Sequence, residues 1–207
     1  MKIYNLKINR HQILYVVFLC DFYWHIRFYS YNKSYLNITF ILKETNEKEE
    51  DGGYDLTEFL REGAVGGCIW NNVSRFSAGI IFKEDFDKVE DLDKHDRKKY
   101  LAPISVINLK KAPGKATSNN SEVDKFAKED REYIKNQVEL YNPDLIICGG
   151  TGDMFIENIL GLGMSSWTHV SDYFSYLIYN DTIIVKTYHP ACRKSKKRVV
   201  WKYSFTD

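Results

Sequence analysis

Four short apolar runs punctuate the chain: Asn37–Leu42 (NITFIL), Ile104–Asn108 (ISVIN), Asp144–Cys148 (DLIIC) and Thr182–Lys186 (TIIVK). Each is rich in β-branched residues and ends in polar or glycine positions, the pattern of a strand buried on both faces of a parallel sheet. Helical stretches lie between them. Asp55–Arg61 opens on an N-cap residue, and Val65–Ile81 contains helix around Asn71–Ile80. Ser121–Tyr141 carries Val123, Phe126, Ile134, Val138 and Leu140 near helical spacing until Asn142-Pro143 ends it. Thr151–Leu160 follows the third run directly, and Val199–Phe205 reads as a short terminal helix. Tyr173–Tyr179 reads as an added edge strand, Ala112–Ser121 as a loop, and Lys83–Lys99 as solvated helix or loop. Strand and helix in alternation predict an α/β fold: three α/β/α layers around a mostly parallel, four-stranded sheet. Residues 1–35 form an N-terminal extension and 36–207 the domain.

Composition changes this picture little. Hydrophobic residues at 44% and charged residues at 28% suit a globular domain, and 207 residues suffice for one sizeable core. A formal net charge of +1 gives no global field toward nucleic acid, so any such affinity must be local. Aromatic residues reach 15%, which reflects either base-stacking surface or simple compositional bias. Cys20, Cys68, Cys148 and Cys192 lack the spacing of a zinc or redox motif, so a reduced, cytoplasmic chain without metal is expected. The apolar run Ile13–Cys20 is too short to span a bilayer, and no signal-peptide cleavage pattern follows it.

Ligands of parallel sheets sit beyond the carboxyl ends of the strands. Those ends carry ILKETNE (Ile41–Glu47), VINLKKAPG (Val106–Gly114), CGGTGD (Cys148–Asp153) and KTYHPACRKSKK (Lys186–Lys197). Gly149, Gly150 and Gly152 suggest close packing of a helix on the sheet rather than phosphate binding, since the P-loop lysine is absent. The order and placement of these segments resemble the uracil-DNA glycosylase superfamily. TYHPACRK is similar to its closing His-Pro-Ser/Ala motif, VINLKKAPG to its Asn-containing strand end, and NPDLIICGG to the step between them. The resemblance covers residues 37–203; ILKETNE stands where the first motif falls but lacks its usual Gly and Pro.

The resemblance implies hydrolysis of an N-glycosidic bond in DNA, at uracil or a related damaged base, with water as nucleophile and no cofactor. Such cleavage places positive charge on the sugar and negative charge on the departing base. Glu44 is the expected carboxylate beside the sugar, with Asn46 as a second water ligand. His189 is the expected donor to the base oxygen, and Asn108 presents the donor and acceptor that read a pyrimidine edge. Trp70 and Phe76 fall where the resemblance puts the stacking ring for an extruded base. Arg193, Lys194, Lys196 and Lys197 supply the one dense basic run for flanking phosphates. The partner is then DNA containing uracil or a related base, not a membrane, and the default state is a monomer. Lys43 and Lys110 lie nearest to a Schiff-base position, but neither stands in an obvious one. Two alternatives remain: a non-catalytic nucleobase- or nucleic-acid-binding protein that retains the fold, and a hydrolase of free nucleosides.

Overall fold

The computed structural model describes residues 34–46, 59–60, 62–64, 68–89, 92, 94–114 and 117–191. The four apolar runs are strands: β1 (Ile38–Leu42), β2 (Ile104–Asn108), β3 (Leu145–Gly149) and β6 (Thr182–Thr187). Two more stand before the last, β4 (Thr168–His169) and β5 (Ser175–Tyr179). The sheet therefore has six strands, in the order β2-β1-β3-β6-β5-β4, rather than the four expected. Its first four members are mutually parallel, and the last two are antiparallel additions. β5 is not the edge: its backbone pairs on one side with β6 and on the other with β4, too short and polar to announce itself. Asn180, at φ 52°, turns β5 back into β6 with Tyr179 opposite Thr182.

Period-two alternation divides the core between the two faces of the sheet. Ile38, Phe40, Leu42, Ile104, Val106, Leu145, Ile147, Ile183 and Val185 face α1 (Cys68–Ile81), where they meet Trp70, Val73, Phe76 and Ile80. Ile41, Ile107, Ile146, Cys148 and Ile184 face the other way. They meet α4 (Asn120–Glu129), α5 (Arg131–Tyr141) and the segment after β3, where α6 (Gly152–Met154) runs into a π-helical stretch, Phe155–Leu160. This is the three-layer arrangement, and chain handedness accounts for it. A right-handed crossover stepping one way from β1 to β2 puts its helix on one face; steps in the opposite direction, β2 to β3 and β3 to β6, put theirs on the other.

Two helical expectations change. The single helix expected over Ser121–Tyr141 is two, broken at Asp130 with φ −91° and ψ 11°. No buried apolar side chain stands between Ala127 and Ile134, Tyr133 being exposed, so nothing holds the helix straight across that gap, and both halves bend onto Phe155–Leu160. Charge-rich Lys83–Lys99 contributes two short helices, α2 (Phe86–Val89) and α3 (Lys94–Leu101), whose Val89 and Tyr100 form a small satellite core with Ala78. Asn142 does end α5, in the left-handed region at φ 43°, directly before Pro143. The Asp55 cap, the Val199–Phe205 helix and nearly all of residues 1–35 lie outside the described residues.

Phe40 is fully buried at the centre of the α1-facing core. Phe40→Ala is expected to destabilise the protein by about 4 kcal/mol, lowering the thermal midpoint by roughly 10 °C in a circular-dichroism melt.

Candidate functional site

β1 and β3 are neighbours, yet the chain leaves β1 toward β2 and leaves β3 toward β6. That divergence makes their carboxyl ends the usual ligand position in such sheets. Leu42 pairs with Asn108, and Ile41 with Cys148, so Leu42 is flanked by Asn108 on one side and Gly149 on the other. Parallel pairing continues one step further on the β2 side, with Leu109 N–H donating to Leu42 O and Lys110 N–H to Lys43 O, both at 2.9 Å. Asn108 shares the strand parity of Ile104 and Val106, which places it on the α1 side, and its amide makes no hydrogen bond among the described residues.

The His-Pro turn leaves β6 and folds back across the end of β3. A Cβ on Gly149 would stand 2.8 Å from Pro190 Cδ, and one on Gly150 would stand 3.0 Å from His189 Cβ. Gly150 also holds φ +71° while its N–H donates to Thr187 O at 2.8 Å. Both positions thus require glycine, one for space and one for space and conformation together. His189 therefore lies on the β3 end, about two strand spacings, roughly 10 Å, from the β2 end that carries Asn108. From the other side, Asn72 Nδ2 of α1 donates to Pro190 O at 2.6 Å.

Ala191 N–H donates to His189 Nδ1 at 3.2 Å, so in the neutral ring the proton resides on Nε2. Burial first, and the Lys43 charge second, push the His189 pKa down from 6.5 to about 4. At neutral pH this side chain is a neutral imidazole with one N–H to donate. Lys43, close enough to act on it, donates to Asn120 Oδ1 at 2.8 Å and has no carboxylate partner among the described residues.

Glu44 is placed differently from an open, water-facing carboxylate. Its side chain is 4% exposed, meets the Lys110 ammonium at 2.9 Å and packs directly on Gly114. Lys110 is also held by Glu122 at 2.7 Å and lies over the Phe126 ring. Burial works against its charge, but the hydrogen bonds from Glu122 and Glu44 outweigh that and hold the ammonium above the ordinary lysine pKa. Asn46 is exposed. Trp70 and Phe76, 9% and 5% exposed, give their surface to the core, with Phe59 edge-on to Trp70. An exposed ring beside His189 is Tyr188, edge-on to Tyr173 at 5.4 Å between centroids. Arg193, Lys194, Lys196 and Lys197 lie outside the described residues.

The structure thus brings His189, Lys43 and Asn108 to one rim, with Glu44 beside them in an ion pair. Sequence reasoning passed over Asn72 and Tyr188, although Tyr188 directly precedes the His-Pro pair. It also left Lys110 as the partner of Glu44 unrecognised; the signal was parallel register, which sets residues two past each strand end side by side. Among the described residues no cluster of His, Cys, Asp or Glu could hold a metal ion, and no helix is long and apolar enough to cross a membrane. No family model matches the chain, and no curated protein matches it.

Two outcomes follow from these groups. Because folded His189 takes up its proton near pH 4 and an unfolded histidine near pH 6.5, its contribution to stability is fully present above pH 6.5 and is lost as pH falls through that window. The loss attributable to His189 is ~3 kcal/mol by pH 4; urea titrations at pH 7.5, 5.5 and 4.5 should show a flatter pH dependence in His189→Gln. Lys110→Met should cost about 3 kcal/mol by leaving Glu44 buried and unpaired, and Glu44→Gln in the same chain should recover part of it. A double-variant loss equal to the sum of the Lys110→Met and Glu44→Gln losses would show the pair to be uncoupled.

Proposed function

We propose that this chain is a monofunctional DNA glycosylase that hydrolyses the N-glycosidic bond of uracil or a related damaged base. The observation that carries the reading is His189: a half-buried imidazole, neutral at physiological pH, with Nε2–H as its free donor and the Lys43 charge beside it. That combination suits a leaving group that becomes anionic. As the bond from the sugar carbon to the base nitrogen breaks, the electron pair moves onto the base, where a fixed donor and a nearby cation stabilise it. Water then bonds to the sugar carbon and gives up its proton, and the base takes a proton from solvent. Asn108, about 10 Å across the rim, reads the base edge with its amide. The Glu44 carboxylate supplies negative potential on the sugar side, with Asn46 toward water. The likeness of the strand-end segments to the uracil-DNA glycosylase superfamily supports the same reading.

One observation favours a second reading, a nucleobase-binding module without chemistry. Glu44 is buried against Lys110 and Gly114, which satisfies its charge and limits its access to water.

A fluorescent oligonucleotide containing one uracil, offered single- and double-stranded, separates the two. The glycosylase forms alkali-labile abasic sites, and His189→Ala and Glu44→Gln each reduce the rate by ~100-fold. Binding without strand breakage in the wild type would instead establish the module, and faster cleavage of free deoxyuridine would establish a nucleoside hydrolase.

A further inference from the structure

The His-Pro turn is held from α1 by two polar side chains whose orientations determine each other. Arg75 is 6% exposed, its Nε donates to Val89 O at 3.0 Å, and its NH1 donates to Asn72 Oδ1 at 2.8 Å. A guanidinium has donors and no acceptor, so only the oxygen of the Asn72 amide can face it. The amide nitrogen is then forced to the opposite side, where it meets Pro190 O at 2.6 Å. Burying a guanidinium is costly unless its donors are used, so this arrangement has few alternatives of comparable energy.

Pro190 lies between His189 and Ala191, the residue whose N–H fixes the His189 ring through Nδ1. The carbonyl that Asn72 grips belongs to the peptide unit that contains that same Ala191 N–H. Rotation of this one peptide plane would release the Pro190 carbonyl and the His189 ring together. We infer that Asn72, oriented by Arg75, is a positioning residue that sets the tautomer and direction of the His189 imidazole. The assignment rests on the proposed role of His189 only for its effect on catalysis; the effect on the ring is independent of it.

The test uses the full chain with nitrogen-15-labelled histidine at pH 8, where the ring is neutral in every form; His189→Gln assigns its signals. In wild type the His189 nitrogens should report one tautomer, with the proton on Nε2. Asn72→Asp keeps an acceptor toward Arg75 but offers no donor to Pro190 O, and Asn72→Ala removes both bonds without adding charge. Both should convert His189 to a mixture of tautomers, while a variant at a surface position such as Lys125→Ala should not. On the uracil oligonucleotide both should lower kcat by ~10- to 100-fold with KM changed much less. A single unchanged tautomer in both folded Asn72 variants overturns the inference. Mixed tautomers in a protein whose wild type cleaves no substrate would uphold it and reject the glycosylase instead. Should Asn72→Asp fail to fold, the Asn72→Ala spectrum decides the matter alone, with Asn72→Ser as its smaller polar counterpart.

Discussion

The site is organised by how closely the backbone of β3 can be approached at its carboxyl end. Gly149 and Gly150 present no side chain, so the turn leaving β6 lies directly on them, with Pro190 over the first and His189 over the second. A methyl group at either position would lift that turn, and with it the imidazole, away from the end of β3. The positive φ of Gly150 bends the chain into α6 at the same point, where Thr151 donates to Ile41 O at 2.6 Å and ties the bend to β1. Close approach, strand exit and helix entry are therefore fixed by neighbouring residues.

Around this contact the charges are arranged asymmetrically. Lys110 is neutralised by Glu44 and Glu122, deep between β2 and α4. Lys43, one residue before Glu44, keeps its charge uncompensated by any described carboxylate, and that charge is felt at His189. The buried pair contributes little net stability of its own, because desolvation offsets most of its attraction. Its effect is to hold the loop after β1 against the loop after β2, so that Lys43 stays where its field depresses protonation of the imidazole. A basic side chain and a neutral donor on one rim suit an anionic ligand or leaving group better than a cationic one.

The opposite side of the sheet is built for rigidity. Asp153 accepts from Lys186 at 2.7 and 2.6 Å through its two oxygens and from Trp167 Nε1 at 3.0 Å, binding α6 to β6 and to the segment before β4. With α4 and α5 packed on Phe155–Leu160, this layer fixes β3 and β6 relative to each other.

The sequence by itself determined the four parallel strands, almost residue for residue, because strands buried on both faces must be continuous apolar runs. It also determined that polar segments at their carboxyl ends would share one rim, and it marked His189 and Asn108 there. Local pattern cannot determine which partner a side chain takes from a distant element. Only the tertiary structure decided that Glu44 is spent on Lys110, and that Trp70 and Phe76 serve the core. It alone showed that Asn72, from a helix 118 positions earlier in the chain, grips the carbonyl of Pro190. The break at Asp130 and the strand at Thr168–His169 belong to the same class. Their cause is packing against Phe155–Leu160 in one case and pairing with β5 in the other, interactions that no window of local sequence contains.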